Sequence, residues 1–270
     1  RYFWRLIAPQ ALLYTEMVTT GALLFGDKDY HLDFNDSEHP IALQLGGNQP
    51  DALARCAELA QKWGYDEVNL NCGCPSDRVQ SGGFGAYLMG EPDTVSACIK
   101  AMQNATDLPV TVKHRLGIDH QDSYEELLEF VQTVAAGGCR HFVVHARKAW
   151  LSGLSPKQNR DIPPLNYEWV YRLKQTLPEL TIVINGGITR PEECIEHLQF
   201  IDGVMIGREA YYHPWHLRAI SQAVYGEQNL LSQSEIMALM VQYCKEQLER
   251  GVKLNHVTRH LINFYQGCRG

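Results

Sequence analysis

Seven short runs rich in β-branched and apolar residues punctuate this chain, and amphipathic stretches of helical period separate them. The runs are Leu13 to Met17, Ile41 to Leu45, Glu67 to Cys72, Pro109 to Arg115, His141 to Ala146, Thr181 to Asn185 and Gly203 to Ile206. The helical stretches are Asp51 to Trp63, Pro92 to Ala105, Ser123 to Ala136, Tyr167 to Thr176 and Arg190 to Leu198. A strand, a helix and a further strand in strict order leave little choice of fold. Each helix must carry the chain back across the sheet, so the strands pair in parallel. Pro50-Asp51, Asp122-Ser123 and Thr189-Arg190-Pro191-Glu192-Glu193 supply helix starts, through capping side chains and first-turn acids.

A (β/α)8 barrel needs eight strands. Arg1 to Ile7 reads as the tail of a helix, and the chain begins with Arg rather than Met. The expected fold is therefore an α/β TIM barrel whose first strand lies upstream of residue 1. An open doubly wound sheet is the competing architecture. It fits less well, because the polar strand ends point around a ring rather than at one switch point. After residue 213 the alternation stops: His213-Pro214-Trp215 breaks the chain, and Glu235 to Gly251 and Leu254 to Gln266 read as helices. Two domains are expected, a barrel over 1–213 and a small helical domain over 214–270, truncated at its end.

With 45% hydrophobic and 20% charged residues the chain has an ordinary globular composition. No apolar run approaches a membrane span and no signal peptide is visible. The eight cysteines lack Cys-x-x-Cys pairs and disulfide-scaffold spacing, so they read as reduced thiols of a cytoplasmic protein. Cys72 and Cys74 have no second pair to complete a zinc site. His256 and His260 enclose Val-Thr-Arg rather than a Glu-bearing metalloprotease pattern. No metal and no membrane association are expected, and the chain is expected to be a monomer. The net charge of −7 argues against a nucleic-acid binder, unless a basic face is local.

Six of the strands end in polar residues: Gln44 with Gly46-Gly47, Asn69 with Asn71, Lys113-His114-Arg115, His145 with Arg147-Lys148, Asn185-Gly186-Gly187, and Gly207-Arg208. Six in succession would line one mouth of a barrel, where this architecture does its chemistry. Gly186-Gly187 and Gly207-Arg208 fall in the last two loops. There, unhindered N–H groups and a guanidinium suit a phosphate, unless both are simply tight turns. A buried Lys113 needs an anion, either a local acid or an electron-rich group such as a reduced flavin. His145 reads equally as a core histidine. Gln44 and Asn71 could hydrogen-bond a planar heterocycle or cap loops. Gly73-Cys74-Pro75 sets a thiol on a tight turn just past a strand, as a reactive group or as a structural one. Ser81 to Gly85 follows no strand, so it is not a dinucleotide fingerprint and reads as a mobile loop beside Cys74.

Taken together, Asn69-Leu70-Asn71-Cys72-Gly73-Cys74-Pro75-Ser76, Val112-Lys113-His114-Arg115-Leu116-Gly117, His145-Ala146-Arg147-Lys148, Asn185-Gly186-Gly187 and Gly207-Arg208 resemble the tRNA-dihydrouridine synthases, in order and over essentially the whole chain. The stretch from His145 to Pro164 resembles their DusA branch, which acts on D-loop uridines 20 and 20a. The resemblance implies an FMN barrel with a C-terminal helical tRNA-binding domain. It implies that NADPH reduces FMN, that a hydride passes from flavin N5 to uracil C6, and that Cys74 protonates C5 as general acid. An ordinary thiol is largely protonated at neutral pH and can donate. Gln44, Lys113, His145, Asn185, Gly186, Gly187, Gly207 and Arg208 would contact FMN. Asn71, Arg115, Lys157 and Arg160 would contact substrate tRNA, Asn71 at the target base.

The uridine would have to leave its stack, and binding would rest on phosphate contacts and RNA shape. Arg147, Lys148, Lys157, Arg160, Arg172 and Lys174 are the candidates for the basic face. Two family features are missing from the sequence: the Ala-Pro-Met segment of the first strand and a basic stretch after Gln266 to Gly270. Tyr87 stands where relatives often carry Cys. The alternative is an FMN barrel acting on a small molecule, dihydroorotate-like or enoate-reducing. The loop from Trp150 to Pro164 and the helical tail weigh against it.

Overall fold

The computed structural model describes residues 1–228 and 230–265. In chain order it contains α1 (Tyr2–Ile7), β1 (Leu13–Tyr14), β2 (Val18–Thr19), α2 (Thr20–Phe25), α3 (Lys28–Leu32), β3 (Ile41–Gly46), α4 (Pro50–Lys62), β4 (Glu67–Cys72) and α5 (Asp77–Ser81). Then come α6 (Pro92–Ala105), β5 (Val110–Arg115), α7 (Tyr124–Ala136), β6 (His141–His145), α8 (Tyr167–Thr176), β7 (Thr181–Asn185), α9 (Pro191–His197) and β8 (Gly203–Met205). The chain ends in α10 (Arg208–Tyr212), α11 (Pro214–Tyr225), α12 (Gln233–Glu249) and α13 (Leu254–Thr258).

All strands pair in parallel, in the order β1, β3, β4, β5, β6, β7, β8, with β2 also on β3. This is the neighbour order of a TIM barrel. Both faces of β3 and β4 are buried, as a sheet covered by helices requires. On the outside α4 packs against α6, and α6 against α7. Leu53, Cys56, Ala57 and Ala60 of α4, and Val95, Cys98, Ile99 and Met102 of α6, form their inner faces. Each fully buried Leu or Ile adds roughly 2 kcal/mol of hydrophobic stabilisation.

The single strand expected over Leu13 to Met17 is two short pieces. Tyr14 pairs with Ala42 and Val18 with Leu45. The edge strand takes four steps while β3 takes three, which is a bulge of one extra residue. Thr15 lies inside it and its hydroxyl accepts the Gln44 N–H at 2.9 Å. Sequence periodicity cannot register a bulge, because the apolar alternation merely shifts phase.

The chain forms two compact units: Leu12–Gly187 with His197–Met205, and Arg1–Ala11 with Ile188–Glu196 and Ile206–Gly270. The expected boundary at residue 213 follows a different line, since Arg1–Ala11 belongs with the C-terminal helices. α1 is the helix read from the opening residues. Its Phe3 and Ile7 share a core with Leu217, Ile236, Met240 and Phe264. Phe3 meets Phe264 edge-on at 5.0 Å, and Tyr2 stacks on Tyr243 at 4.3 Å.

His213-Pro214-Trp215, read as a break, is the junction between α10 and α11. Pro214 is the first residue of α11, where a missing N–H costs nothing and a fixed φ favours the helix. In α12, Ser232 and Glu235 form a capping box. The helix read over Leu254 to Gln266 is shorter, α13 ending at Thr258, and Gln266 to Gly270 lie outside the described residues. Among the described residues no helix is long and apolar enough to cross a membrane, and every cysteine is free.

Candidate active site

β4 reads Glu67, Val68, Asn69, Leu70, Asn71, Cys72. Alternate residues of a strand share a face, so the three polar side chains fall on one side and the apolar ones on the other. The register sets Gln44 beside Asn69, Asn69 beside Thr111, and Asn71 beside Lys113. It continues Arg115, His145, Asn185 across β5, β6 and β7. The polar residues of neighbouring strands therefore stand in layers rather than in scattered positions.

One run of side chains is bonded end to end. Tyr14 and Thr111 donate their hydroxyls to Glu67 Oε1 at 2.8 and 2.7 Å. Asn69 Nδ2 donates to the Thr111 hydroxyl at 2.8 Å, and Gln44 Nε2 to Asn69 Oδ1 at 2.9 Å. Asn71 Nδ2 donates to Gln44 Oε1 at 2.8 Å. Asn71 Oδ1 then accepts the backbone N–H groups of Gly73 and Cys74, at 3.0 and 2.9 Å. The turn that carries the thiol is thus fixed by a side chain of its own strand.

Cys74 is half-buried, and its sulfur lies 3.5 Å from the Ser76 hydroxyl. Its carbonyl accepts the Ala86 N–H at 2.9 Å, which folds the 74–86 segment onto itself. Gly85 makes this closure possible. It sits at φ +66, and a Cβ there would lie 2.6 Å from the Cys74 carbonyl oxygen and 2.3 Å from Val79. The Ser81 to Gly85 stretch follows the helical turn of α5.

Lys113 is half-buried, and its pKa falls to about 8, desolvation by the surrounding protein being the main cause and Arg115 the second. Its Nζ reaches Asn185 Oδ1 at 3.3 Å, and among the described residues no carboxylate pairs with it. The Cys74 sulfur is the nearby group that favours its charge. Asn185 Nδ2 donates to the Met205 carbonyl at 2.8 Å. Gly186 and Gly187 follow at φ +113 and +74, in the left-handed region. A Cβ on Gly186 would sit 2.7 Å from the buried His145 ring. A Cβ on Gly187 would sit 2.6 Å from Leu165, so both positions admit only glycine. Gly207 and Arg208 open the short helix α10, within the helical unit.

Arg115 is 4% exposed and braces loops. Its Nε donates to the Gly73 carbonyl at 2.8 Å, and one terminal nitrogen to the carbonyls of Lys148 and Asn159 at 3.1 and 2.9 Å. Burial, the largest cause, lowers its pKa to about 10. Lys157 and Arg160 are exposed on the 150–163 loop. Asn159 holds that loop from inside: Oδ1 accepts the Trp150 N–H, and Nδ2 donates to the carbonyls of Trp150 and Leu154. Gln80 ties it to the thiol segment by donating to the carbonyls of Pro75 and Leu151.

Glu67, Thr111, Asn159 and Gln80 also shape the site, though none ends a strand. The first two carried a signal, polar residues at a period of two within apolar strands. Asn159 and Gln80 carried none, because their partners are backbone carbonyls contributed by folding.

Residues 1–270 match the family model described as Dihydrouridine synthase (Dus). A Synechocystis protein named tRNA-dihydrouridine(20/20a) synthase is 55% identical over 268 residues, 99% of this chain and 80% of that protein. Proteins of the same name from Shewanella oneidensis and Vibrio cholerae are 57% and 56% identical, across all of this chain and 81% and 83% of theirs. A solved chain of the Amycolatopsis orientalis BexX/CysO complex shares the fold, with a TM-score of 0.52 at 11% identity, covering 83% of this chain and 82% of that one.

Proposed function

This chain belongs to the dihydrouridine synthase family, and from that premise we propose that it reduces uridine to 5,6-dihydrouridine at positions 20 and 20a of the tRNA D-loop. The family reduces uridine in tRNA, and this chain is an oxidoreductase of that kind. The observation that carries the reading is the Cys74 turn. A half-buried thiol is held by Asn71 at the end of β4, one strand from a half-buried ammonium that no carboxylate meets among the described residues.

FMN fits the residues present. The charge of Lys113, which no carboxylate among the described residues meets, calls for an anionic or electron-rich partner, and a left-handed glycine pair such as Gly186-Gly187 is a backbone form that can turn N–H groups toward an anion. Gln44, Lys113, His145, Asn185, Gly186 and Gly187 would hold it. When bound and reduced by NADPH, FMN supplies the hydride that uracil C6 receives. The ring's electron pair then lies on C5 and the adjoining carbonyl, and Cys74 gives its proton to C5. The resulting thiolate takes its proton back from solvent. Arg115 acts at one remove, holding the Gly73 carbonyl and the loop that bears Lys157 and Arg160.

Cys74→Ala should abolish dihydrouridine in tRNA digests read by mass spectrometry, while the purified protein keeps its flavin absorbance. Turnover that persists in this variant removes Cys74 from the acid role. Unsubstituted protein that purifies without flavin and takes up none from added FMN removes the proposed cofactor residues.

A further inference from the structure

The end of α10 and the start of α11 bring three metal-ligating side chains to one point. The turn between the helices is tight. The His213 N–H donates to the Glu209 carbonyl at 2.8 Å, the His216 N–H donates to the His213 carbonyl at 2.9 Å, and Pro214 opens α11. His213 Nδ1 lies 2.8 Å from Glu209 Oε1, and His216 Nδ1 lies 2.6 Å from the same oxygen. The two imidazole rings stack with centroids 5.1 Å apart. All three ligand atoms lie within 4.8 Å of one another, inside the helical unit. The set escapes the spacing rules applied to Cys72, Cys74, His256 and His260, because its third ligand is a carboxylate on the preceding helix.

Three lone pairs aimed at one point repel unless something positive lies between them. Protons are one solution: each imidazole keeps its hydrogen on Nδ1 and donates to Glu209. A metal ion is the other: each imidazole carries its hydrogen on Nε2 and binds through Nδ1. Exposure favours the metal. The Glu209 side chain is 12% exposed, while those of His213 and His216 are 44% and 57% exposed. The carboxylate is therefore held in place with little hydration, and the rings can meet solvent through Nε2 and admit an ion. With metal bonds of about 2.0–2.1 Å, tetrahedral ligand atoms stand about 3.3 Å apart, so each ring need retreat from the carboxylate by only about half an ångström.

We infer that Glu209, His213 and His216 form a binding site for a divalent transition metal of the zinc class, with the open position left to water. Two imidazoles and one carboxylate suit Zn²⁺, Co²⁺ or Ni²⁺ better than Mg²⁺ or Ca²⁺, which take oxygen ligands. The ligands come from both sides of Pro214, so the ion clamps α10 to α11 and its binding energy adds to the stability of the helical unit. The inference does not depend on the chemistry proposed at Cys74.

The test titrates the untagged full chain with ZnCl₂ or CoCl₂. Calorimetry should find a Zn²⁺ site, and Co²⁺ should give visible d–d bands without the near-ultraviolet charge-transfer band of a thiolate ligand. Free Zn²⁺ at about a hundredfold over its Kd should raise the melting temperature by about 5 °C. His216→Ala should weaken Co²⁺ binding by at least about a hundredfold, the upper end of what losing a ligand's outer partner costs. Glu209→Gln separates a metal site from a hydrogen-bonded cluster. Its amide oxygen still accepts from both Nδ1–H groups, so without metal the melting temperature should hold, while the rise with Zn²⁺ should vanish. His216→Cys should restore Co²⁺ binding and add the thiolate band.

If a variant fails to fold, the unaltered protein decides. Uptake of neither ion overturns the inference, and so does a thiolate band in the unaltered protein, which places the ion on a cysteine. Binding that His216→Ala and Glu209→Gln both leave unchanged overturns it as well. Mg²⁺ that displaces Co²⁺ at equal concentration would mark an oxygen site and overturn the assigned class.

Discussion

Lys113 shows what the site costs the protein that carries it. In the unfolded chain a lysine titrates near 10.5, and here burial holds it at about 8. Between those values the unfolded state binds more protons than the folded one, so stability rises with pH from about 8 to 10.5. Below pH 8 the charged form is buried and the full penalty applies. Lys113→Met should therefore stabilise the flavin-free protein at pH 7 by about 2–3 kcal/mol and abolish the rise above pH 8, while flavin retention is lost. Urea unfolding of both proteins across that range is the measurement. A flavin-free variant no more stable than its parent at pH 7 would show that the ammonium is not strained.

Gly85 makes a second residue-level case. Ala at φ +66, with its Cβ against the Cys74 carbonyl, must open the thiol segment. Gly85→Ala should raise the rate at which iodoacetamide alkylates Cys74 several-fold, with little change in far-UV circular dichroism.

Strand β5 divides two chemistries between its faces. Thr111, Lys113 and Arg115 face the polar interior, while His114 turns outward between Phe130 of α7 and Phe142 of β6, at 5.1 and 5.8 Å. Its Nδ1 bonds the Arg115 carbonyl at 2.7 Å, and its Nε2 is buried without a partner. Burial, the first cause, lowers its pKa to about 4. The unfolded histidine takes up its proton near 6.5, so stability contributed above that pH drains away as pH falls from about 6.5 to 4. His114→Leu should remove this acid limb in pH-dependent thermal melts. It should also cost about 1 kcal/mol at pH 8 for the hydrogen bond it removes. A wild-type melting temperature that stays flat through that window would contradict a buried neutral imidazole.

The same strand shows how far sequence carries. Its limits, and those of β4 and β7, follow from β-branched alternation and turn residues alone, and the layering of Asn69, Asn71 and Lys113 follows from period two. The connection from Glu67 to Cys74 does not. It depends on register between strands, which turns local patterns into contacts only once the sheet is formed. Helix α11 was hidden for a local reason. Pro214 serves as a breaker or as a first residue, and the apolar face of Leu217 and Ile220 that decides between them is buried in the helical unit.

At the scale of the whole molecule, the question is how a protein of net charge −7 holds a polyanion. Six cations were candidates for a basic face, and local acids already engage three of them. Lys148 pairs with Asp122 and lies over the Trp150 ring. Arg172 reaches Glu125 at 3.6 Å, and Lys174 reaches Asp202 at 2.8 Å while bonding two carbonyls. Arg147 donates to the Pro163 carbonyl. Lys157 and Arg160 are both exposed on the loop tied to the thiol segment.

Neutralising a phosphate releases condensed counterions, so its signature is a salt slope rather than a bare affinity. Lys157→Glu and Arg160→Glu should each weaken tRNA binding about tenfold at moderate salt. Each should also flatten the plot of log affinity against log salt by about 0.7 to 0.9 for every phosphate the variant no longer neutralises. Arg172→Glu should change neither by more than about twofold, because the guanidinium is already paired with a carboxylate and exposed pairs contribute little. If Arg172→Glu flattened the slope as much as Lys157→Glu, the RNA path would run along α8 rather than over the 150–163 loop.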